Sequence, residues 1–201
     1  MALLFANNNS LSAITTKPSG LSGGIMTLLS TQTASSSATI SFTSGIDSTY
    51  DEYVFKFIDI HPATDEAYLT FQGNAAGGSG YNETITSTDF RAYNAEDGSA
   101  TALQYSTAFD QAQGTSFQPI TQEIGNDNDQ CASGTLQIFA PSDTTFVKHF
   151  LSASQYSWAG DYTMRDFTAG YFNTTSAIDE IQFKMSSGNI DSGVIKLYGI
   201  S

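Results

Sequence analysis

The sequence predicts an all-β fold: a single antiparallel β-sandwich of jelly-roll type, preceded by an extended N-terminal arm. Three observations carry this reading. Short runs rich in β-branched and aromatic residues recur from residue 25 to the C-terminus. Clusters of Gly, Asn, Asp, Ser and Pro, the residues that favour turns, separate them. No segment keeps a helical period, and the nearest approach, Ser99 to Gln113, is weak. Roughly ten such strands in one chain suit a single sandwich.

Residues 1–24 differ from the rest. Leu3-Leu4-Phe5 is followed by Asn7-Asn8-Asn9, then by a Ser, Thr, Pro and Gly mixture ending at Gly23-Gly24. Pro18, Gly20, Gly23 and Gly24 would interrupt a helix or a strand. Such a segment suits a solvated tail or an arm that docks on a neighbouring subunit. The arm is the reading taken here, with Leu3, Leu4, Phe5, Leu11, Ile14 and Leu21 as its anchors and residues 25–201 as the sandwich domain.

Within that domain, strands are expected at Ile25 to Thr33, Ala38 to Thr43, Tyr53 to Ile60 and Ala67 to Gln72. In the third, Val54, Lys56, Ile58 and Ile60 alternate with Tyr53, Phe55, Phe57 and Asp59, which predicts a strand buried on both faces. Gly73 to Gly80 reads as a flexible loop. Further strands are expected at Thr84 to Tyr93, Ser116 to Ile124, Gly134 to Ala140, Thr145 to Trp158 and Tyr162 to Asn173. In Ile178 to Ser186, Ile181, Phe183 and Met185 alternate with polar residues, so one face is wet. Ser187 to Gly193 then joins it to Val194–Ile200, most simply as a hairpin.

Composition narrows the function. Only 13% of residues are charged, and 20 acidic against 7 basic residues give a formal net charge of −13. Binding to nucleic-acid phosphates needs clustered Lys and Arg, and anionic membranes ask for the same, so neither partner is expected. No apolar run has the length of a membrane span. Cys131 is the sole cysteine, which excludes an intrachain disulfide and a multi-thiolate zinc site. The short apolar stretch Ala2 to Phe5 has no basic residues before it and does not read as a signal peptide. The sequons at Asn82 and Asn173 are expected by chance in a Thr-rich chain. A soluble protein made in a cytoplasm is the resulting expectation.

Constellations that could carry chemistry are sparse. Gly125 to Gln130 packs acceptor oxygens into a tight loop, and Asp127 and Asp129 have the alternate spacing of cation loops. The EF-hand glycine and terminal Glu are missing, so a solvated turn is the expected state and no metal or cofactor is assigned. The adjacent acids Asp51-Glu52, Asp65-Glu66, Glu96-Asp97 and Asp179-Glu180 would point to opposite faces of a strand and make poor glycosidase pairs. His149 has no serine in a nucleophile elbow to serve, and His61 before Pro62 reads as a strand end. Acidic neighbours raise rather than lower the pKa of Cys131. Gly77-Gly78-Ser79-Gly80 lacks the lysine of a phosphate loop. No catalytic residue is assigned and no enzyme is expected. Tyr81, Tyr93, Tyr105, Tyr156 and Trp158 could stack on sugar rings, although core or interface packing is the expected use of such aromatics.

Two blocks carry a resemblance. Thr49-Tyr50-Asp51-Glu52-Tyr53-Val54-Phe55-Lys56-Phe57, with Pro62 to Asp65 behind it, resembles a segment of virion proteins of tailed phages, marine ones especially. The C-terminal stretch is similar too: Ile178 and Phe183, Ser186-Ser187-Gly188-Asn189, Gly193, and Lys196-Leu197-Tyr198-Gly199-Ile200. The resemblance implies a small β-sandwich building block of heads or tail appendages, located in the virion, and it brings no catalytic residues. It leads to the expectation of a capsid decoration (cement) protein, a homo-oligomer and specifically a trimer, bound to the major capsid protein or other virion proteins. The alternative is a receptor-binding or adhesin module of a tail or head fibre, reading host glycan with loops 73–83 and 94–115. A depolymerase is a third, weaker possibility.

Overall fold

The structure, a computed structural model, describes residues 26–201. The arm anchors Leu3, Leu4, Phe5, Leu11, Ile14 and Leu21 therefore lie outside the described residues. The strands are β1 Met26–Ser37, β2 Ile40–Phe42, β3 Glu52–Pro62, β4 Leu69–Ala75, β5 Ile85–Ala95 and β6 Thr101–Tyr105. They continue as β7 Gln118–Pro119, β8 Ala132–Phe139, β9 Lys148–Trp158, β10 Tyr162–Phe172, β11 Ile178–Met185 and β12 Ile190–Ile200.

Their order makes the fold a jelly roll with an extension. One sheet runs β1-β12-β3-β8-β9-β10-β5-β6 and the other β2-β11-β4-β7, antiparallel throughout. Strands β1, β12, β3 and β8 face β2, β11, β4 and β7, and the chain changes sheet at each step of β1-β2-β3-β4, β7-β8 and β11-β12. That alternation defines the double-sheet jelly roll. Two hairpins are inserted, β5-β6 between β4 and β7 and β9-β10 between β8 and β11. Both add to the larger sheet beyond β8. The segment 106–131 folds beneath this extension in place of a second sheet, bridging through Ile124 to Ala67 and Trp158.

The core lies between the two four-stranded layers. Phe55, Phe71, Phe150, Phe172 and Phe183 are fully buried, and Phe71 meets Phe150 and Phe172 edge-on at 5.0 and 6.0 Å between centroids. Edge-to-face contact suits the ring quadrupoles. Buried glutamines close the polar accounts around them: Gln72 donates to the carbonyls of Glu83, Thr115 and Ser116.

Several expectations need correction. The final two strands do not form a hairpin, because β11 pairs with β2 and β4 while β12 pairs with β1 and β3. The short connection crosses between sheets. Strand β3 is buried on both faces only at its start, where Val54 is 3% exposed opposite Tyr53 and Phe55; further on Phe57 fills the core, but Ile58 is 39% exposed. A bulge at Asp59, with φ of 51°, shifts the register and turns Ile60 inwards despite its parity with Ile58. The long strand expected at 116–124 shrinks to Gln118–Pro119, because Pro119 offers no N–H and Gln118 and Gln122 turn into the interior. Gly73, Asn74 and Ala75 belong to β4 rather than to a loop. A Cβ at Gly73 would lie 3.0 Å from the Phe172 ring, so the absent side chain is what lets that ring pack. The stretch 94–115, expected as a loop, contains the edge strand Thr101–Tyr105.

Candidate functional site

The extension β8-β9-β10-β5-β6 presents two faces of opposite character. Alternation sends Asp89 and Arg91 of β5, Ser154 and Tyr156 of β9, and Met164, Asp166 and Thr168 of β10 towards segment 106–131. The intervening residues point to solvent.

The inner face holds a buried polar network. Asp89 and Asp166 are each 1% exposed; Asp89 lies two residues before Arg91 on β5, and Asp166 lies directly opposite Arg91 on β10. Asp89 accepts from Thr168 Oγ1 at 2.8 Å and from Gln122 Nε2 at 3.3 Å. Asp166 accepts from the Tyr156 hydroxyl at 3.0 Å, and the same hydroxyl accepts the Gln122 backbone N–H at 3.0 Å. The guanidinium of Arg91 donates from Nη1 to Gln122 Oε1 and, with the Gln104 amide assigned by hydrogen-bonding sense so that its oxygen faces Arg91, from Nε and Nη2 to that oxygen at 2.9 and 2.8 Å. Its hydrogen bonds thus go to neutral amides, leaving two carboxylates to share one cation. Burial, with the Asp89 charge beside it, pushes the Asp166 carboxyl up to about 7. Burial likewise raises Asp89, against the pull of Thr168, Ser106 and Gln122. Asp166 Oδ1 and Ser154 Oγ have no partner within the protein. Two such acids could share a proton, but segment 106–131 covers them, and a substrate has no approach.

At the end of this face the interior opens. Arg91, Tyr93, Glu123, Trp158, Tyr162 and Met164 line a pocket of about 180 Å³. Trp158 and Tyr162 lie 4.9 Å apart at 60°, and Tyr93 meets Tyr162 edge-on at 5.7 Å. Gly160, in the turn between β9 and β10, makes this possible: a Cβ there would lie 2.6 Å from the Trp158 ring.

The outer face is a flat, nearly uncharged surface. Phe90, Leu103, Tyr105 and Leu151 are 42%, 72%, 51% and 47% exposed. Phe90 stacks on Phe167 at 5.0 Å and 16°, with the Arg165 guanidinium 4.8 Å from the Phe167 ring. The outward positions of these five strands carry no Asp or Glu at all, in a chain that has 20. Arg165 and His149 are the only ionisable side chains there apart from tyrosines.

The residues singled out in sequence separate in space. Asp127 and Asp129 sit in a turn closed by the Gln130 N–H donating to the Asp127 carbonyl at 2.9 Å. Among the described residues, no three His, Cys, Asp or Glu side chains are grouped to hold a metal ion. His61 lies at the end of β3, still paired within the strand, its Nε2 3.2 Å from the Asp127 carbonyl oxygen and its Nδ1 3.8 Å from Asp191. The Cys131 thiol is pushed up by burial and by Asp59, which reaches it from β3 and not from the acidic loop. Of the five aromatics, only Tyr93 and Trp158 share the pocket. Tyr156 is core, Tyr81 donates to Glu180 at 2.9 Å, and Tyr105 donates to Asp110 at 2.6 Å on the outer edge. The inner network escaped sequence reading, although the patterns Ser87-x-Asp89-x-Arg91 and Met164-x-Asp166-x-Thr168 place acids on one face of each strand.

Two stretches singled out in the sequence are partners in the fold: Tyr53, Val54, Phe55 and Lys56 of β3 pair with Gly199, Tyr198, Leu197 and Lys196 of β12, while Ile178 and Phe183 lie on β11 in the other sheet. Comparison with protein-family models, curated proteins and solved structures finds no match to this chain.

Proposed function

We propose that this chain is a structural subunit of a phage particle, a capsid decoration protein that binds the outside of the head and associates with copies of itself as a trimer. The observation that carries the reading is the outer face of the extension. Protein surfaces that stay free in water carry dispersed charge, whereas a contiguous apolar face bare of carboxylates suits a partner. The favoured occupant is a second copy of the chain. In a chain of net charge −13, a neighbouring copy that docks on this face meets no strand carboxylate there, and in a trimer the face contacts a different patch of the next copy. The jelly roll supplies a rigid frame, and the residues that carry the resemblance fall mainly on β3, β11 and β12. The major capsid protein is the expected further partner, with residues 1–24 as the arm that grips it or a neighbouring subunit.

Copy number per purified particle, measured by quantitative mass spectrometry against the major capsid protein, tests this. A ratio near one, or a simple fraction such as one third, is expected; a few dozen copies or fewer would move the protein to the tail or fibres. Deleting residues 2–24 is expected to abolish particle binding, and unchanged binding would remove the arm from the proposal.

A second reading, a receptor-binding module that recognises host polysaccharide, draws on the aromatic pocket of Tyr93, Trp158 and Tyr162. Retention of purified lipopolysaccharide O-chains or capsular polysaccharides on the immobilised protein would favour it.

A further inference from the structure

We propose that the pocket between Tyr93, Trp158 and Tyr162 is a saccharide subsite that takes one uncharged pyranose ring. The inference rests on the polysaccharide-recognition reading and names the place where recognition would occur. A pocket of about 180 Å³ is well below a drug-sized site and on the scale of a single sugar ring. A pyranose has an apolar C–H face and a rim of hydroxyls, so its binding site needs an aromatic wall and flanking donors and acceptors. The wall is the Trp158 indole with the Tyr162 and Tyr93 rings set around it.

Glu123 and Arg91 supply the polar rim. Glu123 accepts from sugar hydroxyls. Arg91 has five N–H donors, three of which go to Gln104 and Gln122, so two remain to donate outward. Those three bonds also hold the guanidinium in place before a ligand arrives, which lowers the entropy of binding it. Charge sets the ligand class. Beside Tyr162 the turns contribute Glu96, Asp97 and Asp161, and with Glu123 these carboxylates repel an anionic sugar.

Trp158 is the chain's single tryptophan, so its emission reports on this pocket alone. The full-length protein is titrated with glucose, galactose, mannose, N-acetylglucosamine, glucuronic acid and choline. A saturable change with at least one of the neutral sugars is expected, with affinity on the order of millimolar, as a ligand of that size allows. Tyr162→Ala and Glu123→Gln are each expected to weaken it tenfold or more, while Tyr162→Phe, which keeps the ring, binds as the parent does.

No response to any neutral sugar would overturn the proposal. So would a response that both variants retain, or a preference for glucuronic acid or choline. Retention of O-chains or capsular polysaccharides separates the two levels. If the Tyr162→Ala/Glu123→Gln double variant retains them as the parent does, recognition stands and this pocket is not its site. If the parent retains none and responds to no sugar, both readings fall.

Discussion

The hydroxyl of Tyr156 donates to Asp166 at 3.0 Å while accepting the Gln122 backbone N–H at the same distance, tying β9, β10 and the covering segment through one oxygen. Around that oxygen lie a second buried carboxylate, Asp89, and a guanidinium, Arg91, whose hydrogen bonds are directed to amides. The extension is therefore held to its cover by these polar contacts as well as by Ile120 and Ile124, which are buried in the core cluster with Ile85 and Met164.

Asp166 makes stability depend on pH. Burial and the Asp89 charge raise its folded-state pKa to about 7 from 3.8, with Arg91 opposing. The folded state thus holds the proton more tightly than the unfolded chain. The contribution is fully present below about pH 4 and is lost as pH rises towards 7. Three units correspond to about 4 kcal/mol at most. Urea denaturation at pH 5 and pH 8 is expected to show the parent weaker at pH 8, with Asp166→Asn removing most of the difference. An equal difference in the variant would assign the pH dependence elsewhere.

Tyr156→Phe removes one donor and one acceptor together. The Gln122 N–H is then buried without a partner and Asp166 loses its hydrogen bond, which costs about 2–3 kcal/mol by urea denaturation at pH 5. A loss under about 0.5 kcal/mol would mean that the hydroxyl is dispensable.

Gly193 tests the contact between β12 and the bulge of β3. Its φ is +122°, and a Cβ would lie 2.7 Å from the Asp59 carbonyl oxygen at the bulge of β3. Gly193→Ala is expected to destabilise by about 2 kcal/mol or more, through backbone strain and steric contact together. A melting temperature equal to the parent's would show that β12 and the bulge can separate at no cost.

The outer face is expected to govern association and not folding. Phe90→Glu combined with Leu151→Glu places carboxylates on a face that has none, so light scattering should show monomer where the parent is oligomeric. Denaturation of the variant should stay within about 1 kcal/mol of the parent, since both side chains are already exposed. A parent that is itself monomeric at high concentration would sink the self-association reading.

Much of this was legible in the chain. Runs such as Tyr53-Val54-Phe55-Lys56-Phe57 and Ile181-Gln182-Phe183-Lys184-Met185 alternate with the period of a strand, and each forms one close to its expected bounds. Strand existence is a local property: it depends on pleat, propensity and the turn residues nearby. Partner choice is not local. Nothing between Met185 and Ile190 distinguishes a hairpin from a crossing, and only the packing of Phe183 against Phe42 and Phe55, and of Ile195 and Leu197 in the opposite layer, sends the two strands to different sheets.

The same division separates the sites. Composition alone determined that the chain is acidic, cysteine-poor and without local metal or nucleophile motifs, and strand periodicity determined an all-β sandwich. Only the tertiary structure decided that Asp89 and Asp166, 77 positions apart, are buried together within the field of Arg91, that Trp158, Tyr93 and Tyr162 line one pocket with Arg91, and that five strands turn a carboxylate-free face outward. Periodicity says which residues share a face of one strand. Which strands lie side by side, and therefore which faces become a site, follows from long-range burial that no short stretch of sequence encodes.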